Sequence, residues 1–218
     1  MGSGMRFLNI TIPAWATIDT AQLIITAQSS QSGTTVKSRI RAEANINPAT
    51  FSTLANFDAR TWTTALTNWD SIAAWTAETE YTSPNFKTSI QEVINLANWA
   101  SGNPVVVLWD DFELRGTQSA NIYRNGYAYN SSTSKAAKLV ITYTVPLITG
   151  TVTLAGAGVI SATVRAINQS TNIAYTGTTI ADGTYIVSAP AGTYHIVVEY
   201  ETGGVKYNAK SLWGVAVS

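Results

Sequence analysis

Apolar and polar residues alternate with a period of two along much of this 218-residue chain, and that spacing predicts β-strands rather than helices. Between Thr34 and Ala44, the residues Val36, Ser38, Ile40, Ala42 and Ala44 alternate with Lys37, Arg39, Arg41 and Glu43. This is the pattern of an antiparallel strand with one core face and one wet face. Ala21 to Gln28 alternates more weakly, and Pro104 to Trp109 is a continuous apolar run suited to an inner strand. Lys138 to Tyr143 alternates again, with Leu139, Ile141 and Tyr143 on one face. One segment departs from this pattern. After Ser83-Pro84, the residues Phe86, Ile90, Val93, Ile94 and Ala97 recur at helical spacing and stop near Gly102. Serine as the cap and proline in the first turn predict one short amphipathic helix lying across a sheet end.

The pattern changes at Val145-Pro146. Beyond it charged residues become sparse and short apolar runs alternate with turn signals: Asn168-Gln169-Ser170, Asp182-Gly183, Pro190-Ala191-Gly192 and Gly203-Gly204. Tyr194, Ile196, Val198 and Tyr200 share one face of a strand, and His195, Val197, Glu199 and Glu201 share the other. The expected organisation is therefore all-β in two parts. Residues 5 to 145 read as a jelly-roll-like sandwich with one short helix, and residues 146 to 218 as a small immunoglobulin-like or transthyretin-like sandwich.

Composition narrows the chemistry. Apolar residues make up 45% and charged residues 12%, which is too apolar for a disordered chain. Lysine plus arginine equals aspartate plus glutamate at 13 each, so there is no net basic charge to neutralise phosphates, and nucleic acid is not an expected partner. No apolar run approaches the length of a membrane span, so membrane insertion is not expected either. The absence of cysteine removes disulfides, thiolate nucleophiles and cysteine-held zinc together. No cofactor is expected. His195 is the single histidine, and alternation puts it on a solvent face with Glu199 and Glu201 rather than beside a buried orienting carboxylate.

Two groups of side chains remain as candidate binding residues. Asp110, Asp111 and Glu113 follow an inner strand and carry the oxygen ligands that calcium takes, although their spacing matches no calcium loop. Among seven tryptophans, Trp62, Trp69 and Trp75 offer flat faces that suit stacking on sugar rings; aromatic packing in the core is the competing use of the same residues. Tyr127, between Tyr123 and Tyr129 on one face, invites the same two readings.

Arg6-Phe7, Ile12-Pro13, Ala16-Thr17-Ile18, Ala21, Leu23, the Trp75 region, Ser89 to Ile94, Trp99 to Asn103 and Ala137-Lys138-Leu139 form a dispersed pattern. It resembles the jelly-roll modules of the DNRLRE and disaggregatase-related type found in secreted multidomain proteins, some of which are associated with polysaccharide binding. Such modules usually carry one or two strands before the piece corresponding to Arg6-Phe7, and here these are missing. A sandwich lacking its first strand exposes a sheet edge, so a neighbouring chain or an upstream segment is expected to cover it.

Gly150-Thr151-Val152, Ala162-Thr163-Val164, Asp182 to Tyr185 and Pro190 to Tyr194 resemble the turns and core tyrosines of carboxypeptidase-regulatory, transthyretin-like domains. Lys206 to Ala209 and Val215 to Val217 further resemble such domains on phage virion proteins. These resemblances imply a non-catalytic structural or adhesive protein on a virion surface or outside the cell, such as a capsid decoration or tail-associated component. Its partners would be other chains of that assembly, including copies of itself, or a surface glycan. The alternative they leave open is a carbohydrate-binding module of a secreted multidomain protein.

Overall fold

The computed structural model describes residues 2–32, 36–116, 122–208 and 211–217. It is mostly β, with several antiparallel sheets and two helices. The chain divides into two compact units, Met1–Thr144 and Val145–Ser218, one residue from the boundary that the change in pattern suggests.

Among the described residues the first unit has seven strands: β1 (Gly2–Phe7), β2 (Thr17–Thr26), β3 (Val36–Ala42), β4 (Thr67–Ile72), β5 (Glu80–Thr82), β6 (Val105–Asp110) and β7 (Lys138–Thr144). They form two antiparallel sheets, in the orders β1-β6-β3-β4 and β5-β2-β7. An eight-stranded jelly roll sets its second, seventh, fourth and fifth strands in one sheet and its first, eighth, third and sixth in the other. Counting β1 as the second strand reproduces both orders, and the first-strand position beside β7 holds no strand among the described residues.

Between the sheets lies a core of Ile18, Ala21, Leu23 and Ile25 from β2, Ile40 from β3 and Val105 and Val107 from β6, all at most 2% exposed. Helix α1 (Leu54–Asp58) lies in the long β3-β4 connection, and α2 (Lys87–Ile94) follows β5. In α2 the residues Ile90, Val93 and Ile94 are fully buried, as their spacing requires, and the helix packs on β2. Gln91 ties the two elements together, accepting from the Ile18 amide and donating to the Ala16 carbonyl.

Three expectations need correction. A single helix was expected; the short helix α1 is a second one, with too few residues for its pattern to stand out. Ser83 is not the cap of α2, because its hydroxyl oxygen accepts from the Leu23 amide within the sandwich; Asn85 accepts from the Lys87 amide instead. The polar face of β3 is wet only at its start: Lys37 is exposed, whereas Arg39, and Glu43 just past the strand end, are 6% and 5% exposed. Thr34 and Thr35, at the expected start of that strand, lie outside the described residues.

Among the described residues the second unit has nine strands: β8 (Leu147–Thr151), β9 (Thr153–Leu154), β10 (Ala157–Gly158), β11 (Thr163–Asn168), β12 (Ala174–Thr178), β13 (Thr184–Ser188), β14 (Gly192–Thr202), β15 (Val205–Asn208) and β16 (Leu212–Val217). β14 is its centre, pairing with β11, β15 and β16, while β8 pairs with β13 and β9 with β10. Its core joins Ile148, Val164, Ala166, Val187, Tyr194 and Ile196, so the apolar face expected of β14 is the inner one. Tyr194 is fully buried and its hydroxyl donates to the Pro190 carbonyl at 2.7 Å, which ties the start of β14 to the turn before it.

Candidate functional site

A grouping of charged and aromatic side chains lies on the outer face of the β1-β6-β3-β4 sheet. The pairing register sets Arg39 directly opposite Asp110, and alternation puts Arg41 on the same face two residues on. Arg39 Nε donates to Asp110 Oδ1 at 2.9 Å, a second Arg39 nitrogen donates to Glu113, and Arg41 Nε lies 3.9 Å from Asp110 Oδ2. The Asp110 carboxylate is wholly buried between these guanidiniums. Burial, and then the like charge of Arg39, pull Arg41 below the usual arginine range, while Asp110 and Glu113 act the other way.

Aromatic rings cover this charge. Phe57 packs against Phe51, Trp62 and Phe112 at centroid distances of 6.1, 5.8 and 5.8 Å. The Arg41 guanidinium lies 5.1 Å from the Trp62 ring centre, and that of Arg60 lies 4.0 Å from the Phe51 ring centre. Gly4 of β1 makes room for this cover, since a Cβ there would sit 2.2 Å from the Phe51 ring.

At one end of the cover is a cavity of about 270 Å³ whose lining includes Glu43, Asn45, Asn47, Asn56 and Arg60. Arg60 organises it, donating to the Glu43 carboxylate, to the Ala49 carbonyl at 2.8 Å and to Asn56 Oδ1 at 2.8 Å. Sequence reasoning missed Arg60 and the three asparagines. They stand in the long β3-β4 connection, where no periodic pattern marks them, and Glu43 belongs to the face that alternation assigns to water.

The remaining sequence candidates are spread over the unit. Trp69 and Trp75 are 8% and 3% exposed and pack inside the sandwich with Trp109 and Tyr81, so they are core residues and present no face to a ligand. Large rings with an alternating neighbour pattern look the same in sequence whether they face inward or outward, which is why they could be mistaken for a platform. Trp62 is half-buried, with Arg41 on its ring. Tyr127 lies elsewhere: its hydroxyl donates to Glu78, which also pairs with Lys135. Those two bonds, from Lys135 first and Tyr127 second, hold the Glu78 carboxyl below its ordinary range, while the bond to Glu78 pushes Tyr127 up.

The three acids considered for calcium do not share a site. Asp110 and Glu113 face arginines, and Asp111 accepts from the backbone amides of Arg115 and Gly116. A cation placed among them would meet guanidiniums. Among the described residues, no three His, Asp or Glu side chains group as metal ligands. In the second unit, His195 is half-buried rather than open to solvent, stacked on the exposed Trp213 ring at 3.7 Å, and its Nε2 has no hydrogen-bond partner. Glu199, on its face, pairs with Arg165 at 3.5 Å. No family model, no curated protein and no solved structure matches the chain.

Proposed function

We propose that this chain is a non-catalytic structural or adhesive component of an exterior assembly, of the kind that decorates a capsid or accompanies a tail on a virion surface. The observation that carries the reading is the outer edge of β7, which meets no strand among the described residues in a sheet order that otherwise follows a jelly roll, because an uncovered sheet edge can take up a further strand. The ionic layer supports it as well: the carboxylates of Asp110 and Glu43 are buried against arginines, which fixes the sheet and its cover but leaves neither acid placed as a general acid or base. The resemblance of the second unit to domains carried on phage virion proteins supplies the setting.

Light scattering on the purified chain, alone and mixed with particles of the assembly it belongs to, tests the proposal. A defined stoichiometric complex is expected. A second reading, a carbohydrate-binding module, is favoured by the cavity lined with Asn45, Asn47 and Asn56, whose amides suit sugar hydroxyls. A glycan array on the same sample separates the two: a chain that binds no particle and does bind glycans overturns the structural reading.

A further inference from the structure

Asn125 is the one asparagine of this chain that precedes a glycine. Packing dictates that glycine, because a Cβ on Gly126 would lie 2.3 Å from Ile25 Cγ2 of β2. Gly126 stands opposite Ala27 in an antiparallel bridge. The bonds that flank the bridge run from the Gln28 amide to the Asn125 carbonyl and from the Tyr127 amide to the Thr26 carbonyl, both at 3.1 Å. Gly126 and Ala27 are thus a non-hydrogen-bonded pair, and the Gly126 amide points away from β2. It meets no acceptor among the described residues.

The Asn125 side chain is held at both of its polar atoms. Ser29 Oγ donates to its Oδ1 at 2.8 Å, and its Nδ2 donates to Gln28 Oε1 at 3.3 Å. Gln31 Nε2 in turn donates to Ser29 Oγ at 3.1 Å, which leaves the serine proton to Asn125. A hydroxyl proton on the amide oxygen draws electrons from Cγ and stabilises the negative charge that grows there when a nucleophile adds. The Gly126 nitrogen is such a nucleophile, already tethered one residue on. Two other links show the contrast. At Asp182-Gly183 the glycine amide donates to the Ile180 carbonyl at 2.8 Å, and at Asn130-Ser131 the serine amide donates to the Ala128 carbonyl at 3.0 Å. In both, the nitrogen that would attack is engaged.

We propose that Asn125-Gly126 is a self-modifying link, at which the chain deamidates with assistance from the Ser29 hydroxyl. Water takes the Gly126 amide proton and the Gly126 nitrogen bonds to Asn125 Cγ. The Cγ–Nδ2 bond breaks, and Nδ2 leaves as ammonia after gaining a proton from water. Water then adds to either carbonyl carbon of the resulting succinimide and opens it to aspartate or isoaspartate. The net change is a gain of water and a loss of ammonia, with no oxidation or reduction. Aspartate puts a negative charge beside Ser29 and removes the donor to Gln28 Oε1. Isoaspartate also routes the main chain through Cβ and turns the carbonyl that accepts from the Gln28 amide into a free carboxylate, so the register of the bridge to Ala27 is lost. With age, therefore, the segment after Arg124 loosens its hold on the end of β2.

The test ages the native full chain in warm, mildly alkaline buffer and follows it by peptide mass mapping against an unaged sample. Trypsin cleaves after Arg124 and Lys135, so Asn125 and Asn130 leave on one peptide and are compared directly. Conversion of Asn125 to aspartate and isoaspartate is expected to run at least about tenfold faster than that of Asn130. Ser29→Ala is expected to melt cooperatively and to slow Asn125 by about three- to tenfold, while Ser29→Thr, which keeps the hydroxyl, restores the native rate. An Asn125 that converts no faster than Asn130 overturns the inference. So does an Asn125 that stays intact while a free peptide spanning Tyr123 to Tyr129 converts, and so does a folded Ser29→Ala chain that converts as fast as the native one. Where Ser29→Ala does not fold, the comparisons with Asn130 and with the free peptide decide on the native chain alone.

Discussion

Arg39 and Asp110 stand directly opposite one another on β3 and β6, joined by a 2.9 Å hydrogen bond with side chains only 8% and 0% exposed. Without Asp110 the buried Arg39 keeps only the exposed Glu113 as counter-charge, and Arg41 loses the carboxylate beside it. Asp110→Ala is predicted to lower stability by about 3–5 kcal/mol, read as a shift of the urea midpoint. The double variant Arg39→Met, Asp110→Leu is predicted to lose less than the single one, because no buried charge of that pair is then left alone. A single variant that unfolds at the native midpoint would show that the layer does not hold the sheet.

Gly4 is predicted to be needed for the aromatic cover. Gly4→Ala puts a methyl group 2.2 Å from the Phe51 ring, so Phe51 must move and disturb its packing with Phe57 and Arg60. A loss of about 1–3 kcal/mol is expected, with a change in near-ultraviolet circular dichroism that reports the rings.

In the second unit, the Asp182-Gly183 turn depends on its glycine. Gly183 has φ +81° and a Cβ there would lie 2.3 Å from the Val152 carbonyl oxygen, a backbone atom that cannot swing aside. Gly183→Ala is predicted to destabilise the turn by at least about 1–3 kcal/mol. Thermal unfolding of the full chain measures it, with Gly204→Ala as the comparison, since a Cβ there meets nothing within 4 Å although φ is +75°.

Acid is predicted to loosen the contact between Tyr127, Glu78 and Lys135. The Glu78 carboxyl is held below its ordinary range by the bonds from Lys135 and Tyr127, so its stabilising contribution is complete above the ordinary carboxylate pKa and is lost as pH falls through the lowered value. Lys135 is raised by the same bond, so its contribution is lost only as pH rises through a value above that of a free lysine. A nuclear magnetic resonance titration of Glu78 is expected to give a midpoint below that of a free glutamate, and Lys135→Met is expected to move it upward.

Much of this fold is legible in the alternation itself. The strands around Ile40 and Ile196 and the helix around Ile90 follow from spacing, because each buries one regular face, while the strand around Val107 follows from an apolar run that is buried on both faces. The candidate site is less legible for a physical reason. The polar face of β3 looks like a solvent face in sequence, and only the long connection carrying Phe51, Phe57 and Arg60 converts it into a buried ionic layer. That connection has no period of its own. Likewise, alternation cannot tell an inward tryptophan from an outward one, so Trp69 and Trp75 reveal themselves as core only through Tyr81 and Trp109. The uncovered outer edge of β7, by contrast, shows only in the strand order of the described residues, because spacing along one strand does not say which of its edges is paired.

The most direct test of the account is amide hydrogen exchange along β7 in the isolated, dilute chain. The amides of Leu139, Ile141 and Tyr143 are predicted to exchange at least about tenfold faster than those of Val140 and Thr142, because only the second set is bonded to β2, the Leu23 and Ala21 amides opposite Leu139 and Ile141 being given to Ser83 and Asn85. Uniform protection of all five would mean that the sheet is already closed, and would contradict both the open edge and the role built on it.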